Sequence, residues 1–187
     1  IDGPAAADPT TGILYVTSRK GCTSRIIVPG TERDSREDAQ TGTTIANFAV
    51  GGSAFVRGPN GLSLFKPPYS RITAIDMNTG EHLWYIPVGD TPDRVTDHPD
   101  LQGIDIPNTG SGNVAPMTVT STLLIYAGAS GDGSPQLFAI DKVTGERVGT
   151  VEVSASSRYG MLTYVHEDRQ YIVLQTGSTL TAMTLKQ

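Results

Sequence analysis

Apolar and polar positions alternate in short runs along most of this chain, and no long stretch carries helical periodicity. The runs predict strands at residues 13–18 (ILYVTS), 71–76 (RITAID) and 81–87 (EHLWYIP). A second group follows at 114–119, 123–127, 136–140 and 147–153, and a third at 161–165, 170–175 and 179–185. Residues 166–169 (HEDR) make a hairpin turn within the third group. Two segments break the pattern. Residues 19–70 are polar with scattered apolar positions, which reads as a long insertion with one short strand near 26–28. Residues 89–112 form a second loop, with Pro92, Pro99 and Pro107.

Two of the strand pairs are copies of one another. Residues 74–84 read AIDMNTGEHLW and residues 139–149 read AIDKVTGERVG. A looser third turn, DPTTG, occupies 8–12. Self-similarity at a fixed spacing marks a repeat architecture. Each unit is a strand, an Asp-x-x-Thr-Gly turn and a second strand. The Asp carboxylate suits the backbone N–H groups of such a turn, and Gly supplies a positive φ. Asp76, Gly80, Asp141 and Gly145 are therefore scaffold residues. Trp84, on the strand after the first turn, can pack between neighbouring sheets, whereas the second copy has Gly149 in its place. The pattern predicts an all-β fold of about three four-stranded antiparallel propeller blades in one domain over 1–187. The first spans 1–88 with its insertion, the second 113–153, and the third, short of one strand, 160–187. Closed propellers need about four to eight blades, so three form an arc that cannot close by itself.

Bulk properties narrow the function. Apolar residues make up 37% of the 187 and charged residues 18%, which fits a packed domain rather than a disordered chain. The net charge is −5 with no basic stripe, so nucleic acid is not an expected partner. No run is long enough for a membrane span. The chain opens at Ile1-Asp2-Gly3 without Met, which reads as a mature or excised segment. Cys22 is the single cysteine and says nothing firm about redox compartment. His82, His98 and His166 are scattered and lack partner ligands at metal spacing; His82 is expected to be exposed beside Trp84. The mixed charge run 32–38 (ERDSRED) reads as solvated surface and does not fit a calcium loop.

With these residues in view, the chain resembles the pyrroloquinoline-quinone (PQQ) dependent dehydrogenases, eight-bladed propellers that oxidise alcohols, polyols or sugars. Residues 74–84 look like the family's tryptophan-docking repeat. Residues 66–76 (KPPYSRITAID), 12–16 (GILYV), 161–164 (MLTY) and 168–173 (DRQYIV) resemble further family segments in the family's order. That order implies the C-terminal blades. Three departures point to a divergent member: the missing second Trp, Gly160 where relatives carry Pro, and the short loop 175–179.

The resemblance implies PQQ as cofactor, with a calcium or lanthanide ion and a catalytic Asp that lie mainly in sequence upstream of these residues. No catalytic residue or metal ligand is therefore assigned here. PQQ carries three carboxylates and needs donors at strand ends facing the funnel. The candidates are Ser18 and Arg19 after ILYVT, Lys66 in the KPPY segment, Asn113 before the second blade, and Asp132 in a Gly-rich turn. The reading that follows is the C-terminal part of a periplasmic dehydrogenase acting on a sugar, polyol or alcohol and passing electrons to an external acceptor. The segment by itself is expected to be inactive. Its partners would be upstream blades of the same enzyme or a second chain completing the propeller. Two alternatives stand beside it: a non-catalytic PQQ-like scaffold propeller, and a partial propeller that closes by self-assembly.

Overall fold

The computed structural model describes residues 5–29, 48–157 and 160–184. The charge run 32–38 and the chain start at residues 1–3 lie outside them. The chain falls into two compact units, one of residues 1–20 with 66–187 and one of residues 21–65.

The larger unit is built from three antiparallel sheets. Strands β1 (Ala6–Asp8) and β2 (Ile13–Arg19) pair with β5 (Ser70–Asp76) and β6 (His82–Pro87), in the order β1-β2-β5-β6. The second sheet runs from β7 (Met117–Val119) through β8 (Leu123–Ala129) and β9 (Pro135–Asp141) to β10 (Arg147–Glu152). The third has β11 (Met161–His166), β12 (Arg169–Thr176) and β13 (Thr179–Thr184). This is the nearly all-β, four-stranded pattern expected for propeller blades. Two details differ from the sequence reading. Strand β1 was not expected, because Ala-Ala-Asp carries no β propensity; in the sheet it pairs with β2. The strand expected from residue 114 begins only at Met117, since Pro116 cannot donate to a ladder.

The smaller unit is a ribbon of β3 (Thr23–Pro29) and β4 (Phe48–Phe55). The sequence reading placed one short strand there and missed β4, whose run FAVGGSAF is interrupted by two glycines. Its apolar side chains stay exposed, Ile26, Ile27 and Phe48 among them. The stems of this insertion are tied within the larger unit. Lys20 N–H donates to the Tyr69 carbonyl at 2.7 Å and Lys20 Nζ to the Lys66 carbonyl at 3.2 Å.

The repeated turns are closely alike. Asp76 Oδ1 accepts from Asn78 N–H at 2.7 Å, and Asp141 Oδ1 accepts from Val143 N–H and Thr144 N–H at 2.8 and 3.0 Å. Gly80 and Gly145 follow with φ of 78° and 77°. In the third version, Asp8 Oδ1 accepts from Thr10 N–H at 3.0 Å. Both full copies then bulge at the same place: Leu83 and Val148 are the extra residues where the register shifts. The bulge leaves His82 exposed while Trp84 turns inward.

Sheets one and two pack face to face. Tyr15, Ile72 and Ala74 meet Leu124, Tyr126, Phe138 and Ile140 in one apolar core, with Trp84 at its margin. The Trp84 ring lies against Gly145, where an added Cβ would come within 3.0 Å of it, and Trp84 Nε1 donates to the Lys142 carbonyl at 3.3 Å. Tyr15 OH donates to the same carbonyl at 3.3 Å. The Lys142 ammonium crosses to Asp8 Oδ2 at 2.6 Å, and both side chains are nearly buried. The Lys142 hydrogen bond, helped by the Thr11 hydroxyl, holds the Asp8 carboxyl down to about 2 from its ordinary 3.8. Burial, with the Asp8 and Asp141 charges nearby, pushes the Tyr15 phenol up to about 12, so it remains a donor. Sheets two and three meet through Ala127, Leu137 and Leu174, with Met161 and Met183 beside them.

Two outcomes are expected from this junction. Trp84→Ala should cost about 3 kcal/mol in thermal or urea unfolding, while His82→Ala stays within about 0.5 kcal/mol; equal losses would remove Trp84 from the packing. Because the Asp8 carboxyl is depressed on folding, its stabilisation is present above pH 3.8 and is lost as pH falls through about 2. Melting temperature against pH should therefore drop in that window, and Asp8→Asn should flatten the drop.

Candidate functional site

The Asp-x-x-Thr-Gly turns all lie at one end of the sheets. Register places Ile13 opposite Asp76 and Leu123 opposite Asp141 at that end, and Arg19 opposite Ser70 and Ala129 opposite Pro135 at the other. The two ends are six residue steps apart, about 20 Å. At the end away from the turns, a cleft of about 530 Å³ opens between the first two sheets.

Arg19 lines this cleft from the end of β2, and residues 127–129 line it from the end of β8. Ser111 and Asn113 come from the loop that leads into β7, and Ser156 and Ser157 from the connection to the third sheet. The loop of residues 88–112 is fixed by its own hydrogen bonds. Asn108 Nδ2 donates to the Gly89 carbonyl at 2.9 Å, and Asn108 Oδ1 accepts from Gly110 N–H at 2.9 Å. Ser111 N–H donates to the Val88 carbonyl at 2.8 Å, and Gly112 N–H to Ser70 Oγ at 3.0 Å. The loop is also tied to the second sheet. Gly89 N–H donates to Tyr126 OH at 3.2 Å and Asp90 N–H to the Ala129 carbonyl at 3.0 Å. Gly89 has φ of 71°, and an added Cβ would meet the Ala129 carbonyl oxygen at 2.7 Å, so glycine is required at this crossing. Burial raises the pKa of the Tyr126 phenol.

The five sequence candidates separate in space. Arg19 and Asn113 line the same cleft. Ser18 precedes Arg19, and strand alternation puts it on the opposite face, paired with Arg71. Lys66 is exposed and is engaged through its carbonyl by Lys20. Asp132 is occupied within its own turn: it accepts from Ser130 Oγ and from Ser134 N–H and Oγ, which hold its carboxyl below the usual range. Ser111, Ser156 and Ser157 were missed, since serines in loops carry no pattern of their own. Thr17 was missed too. It is fully buried, shares a strand face with Arg19, and its Oγ1 has no hydrogen-bond partner among the described residues.

The donor set has one guanidinium, one carboxamide and three hydroxyls, with no carboxylate among the lining residues. Such a set fits carboxylate groups of a bound anion. It does not fit a metal ion, and among the described residues no three His, Cys, Asp or Glu side chains come together. Also among the described residues, no helix is long and apolar enough to cross a membrane.

Comparison with known proteins places this geometry in context. The sequence pattern of the PQQ glucose/ethanol/alcohol dehydrogenase beta-propeller domain matches residues 3–172. The chain is similar to the glycerol dehydrogenase large subunits of Gluconobacter thailandicus (32% identity) and Gluconobacter oxydans strain 621H (29%), over 66% of its length in each case. It spans only 16% of the length of either. Among solved structures it resembles a europium-containing methanol dehydrogenase, with TM-score 0.52 and 19% identity over 94% of this chain and 24% of that one. It also resembles the quinohemoprotein alcohol dehydrogenase of Comamonas testosteroni, with TM-score 0.51 and 16% identity over 94% of this chain and 22% of that one. At these identities the structural likeness establishes the fold. The family pattern covers most of the chain, and the chain belongs to the PQQ glucose/ethanol/alcohol dehydrogenase beta-propeller domain family.

Proposed function

We propose that this chain corresponds to the C-terminal blades of a PQQ-dependent dehydrogenase and that its cleft forms one wall of the cofactor site. The observation that carries this reading is the meeting of Arg19 and Asn113, with Ser111, Ser156 and Ser157, at one end of the first two sheets. PQQ is a planar tricarboxylate. The Arg19 guanidinium would hold a carboxylate by charge-assisted hydrogen bonds, and Asn113 and the serines would supply neutral donors around it. When bound, PQQ supplies the two-electron chemistry that accepts hydrogen from a substrate hydroxyl. This chain's part is to bind and orient it. The metal ligands and the general base would come from polypeptide outside these residues, with calcium or a lanthanide as the ion.

The substrate class follows the relatives. Both related large subunits carry the name glycerol dehydrogenase, which favours a polyol among the sugar, polyol and alcohol substrates, with electrons leaving to an external acceptor. A periplasmic location rests on the family resemblance.

Calorimetric titration tests the cleft. PQQ should bind the full chain, and Arg19→Met should weaken binding roughly tenfold, the size expected for one charge-assisted hydrogen bond, in a variant that circular dichroism shows to be folded. No detectable binding, or equal binding by the variant, would remove Arg19 from the cofactor site. The chain alone with PQQ, calcium and glycerol or glucose should not reduce an artificial electron acceptor. Measurable turnover would mean that base and metal site are already present in it.

A further inference from the structure

The loop that brings Ser111 and Asn113 to the cleft hangs on a short base, residues 88–91. Ser111 N–H donates to the Val88 carbonyl at 2.8 Å, Asn108 Nδ2 to the Gly89 carbonyl at 2.9 Å and Thr109 N–H to Thr91 Oγ1 at 2.9 Å. Asn113 N–H then donates to Ser111 Oγ at 3.3 Å. The position of this wall is therefore set by what holds its base. Two backbone groups do so: Gly89 N–H donates to Tyr126 OH at 3.2 Å, and Asp90 N–H to the Ala129 carbonyl at 3.0 Å. A third tie starts at the other end of the second sheet.

Asp90 Oδ1 pairs with Arg147 Nη1 at 2.8 Å. Arg147 stands on β10 opposite Ile140, near the turn end, whereas Asp90 lies against Ala129 at the cleft end. The Arg147 side chain spans this separation over the Phe138 ring, with its guanidinium carbon 4.3 Å from the ring centroid. Phe138 stacks in turn on Tyr126, with centroids 4.9 Å and planes 15° apart. An exposed ion pair by itself contributes little, because two long side chains must be ordered to make it. Here the Phe138 face already orders the planar guanidinium. Burial raises the pKa of the Tyr126 phenol, and the Gly89 N–H and the Arg147 guanidinium both act against that rise. The same cation therefore bears on the hydroxyl that holds Gly89.

The repeated hairpin does not itself require this arginine. The first copy builds the same turn and the same bulge with His82 at the corresponding position, and His82 stays exposed. The contacts of Arg147 lie instead towards the base of the loop. We propose that Arg147 is a positioning residue: through Asp90 and Phe138 it locks residues 88–91, and so fixes where Ser111 and Asn113 stand against a ligand in the cleft. The inference rests on the PQQ reading of the cleft for the identity of that ligand.

Calorimetric titration with PQQ, and amide hydrogen exchange followed by NMR, test this on the full chain. Arg147→Met keeps an apolar stem over Phe138 and removes the charge, and Asp90→Asn removes the partner. In variants that circular dichroism shows to be folded, each change should weaken PQQ binding roughly two- to fivefold, the range of one partly exposed ion pair. The double variant should bind no more weakly than the weaker single one, because one interaction has been removed. The Gly89 and Ser111 N–H groups should exchange faster by a similar factor, while those of β8 and β9 keep wild-type rates. The direction for Asp90→Asn separates positioning from simple charge. PQQ is an anion, so loss of a nearby carboxylate would tighten binding if the field alone mattered. Tighter or unchanged binding by Asp90→Asn overturns the proposal, as does an additive double variant or faster exchange spread evenly through β8 and β9. If Arg147→Met melts early, Asp90→Asn carries the test. If the wild-type chain does not bind PQQ, the cofactor reading falls and exchange decides the lock: faster exchange at Gly89 and Ser111 sustains it, and wild-type rates there overturn it.

Discussion

Lys142 ties the first two sheets together through three separate contacts. Its carbonyl accepts from the Trp84 indole and the Tyr15 phenol, and its ammonium neutralises Asp8 across the junction. It also donates to the Thr120 carbonyl at 3.3 Å, so the turn between β7 and β8 is drawn in as well. A buried ion pair adds little net stability when compared with an apolar replacement, but removing one partner leaves a charge in the core. Here the pair's value is positional. It fixes which residue of the second sheet's turn meets which residue of the first, and the apolar core between the sheets then forms in one alignment. The cleft at the far end of the same junction inherits that alignment.

The scaffold was readable in the sequence where chemistry is local. An Asp-x-x-Thr-Gly turn needs only its own five residues, so Asp76, Asp141 and their glycines could be assigned before any fold was known. Strand alternation likewise located most of the ladders. What could not be read either had a weak local signal or was held by distant partners. Strand β1 exists through pairing with β2, and β4 hides behind a glycine pair that lowers its strand signal. Asp8 was visible as a turn residue, but its pairing with Lys142 spans 134 positions and leaves no spacing to detect. At the cleft, Arg19 and Asn113 stood out as polar residues at strand ends, where the family resemblance implied cofactor contacts. Ser111, Ser156, Ser157 and Thr17 acquire meaning only from what surrounds them.

Family membership and site chemistry answer different questions here. The propeller pattern reports an architecture shared by glucose, ethanol and other alcohol dehydrogenases, and folds of this kind host more than one chemistry. The cleft adds a specific statement about donors: cationic and neutral hydrogen-bond groups converge where the sheets end, on a rigid frame of backbone bonds around Asn108 and Gly89. A site framed this way is organised before a ligand arrives, which limits the ordering cost of binding.

The tied stems of the insertion have a consequence for how such a chain can change. Lys20 bonds to the carbonyls of Tyr69 and Lys66, so the two points where residues 21–65 leave and rejoin the sheets are held together independently of what lies between them. Closing a longer loop between fixed ends costs only about 0.6 kcal/mol for each doubling of its length. The insertion can therefore lengthen, shorten or be exchanged in the course of evolution almost free of thermodynamic penalty. The sheets would keep their register while a new segment is tried beside them, which makes this position a graft point for acquiring new recognition.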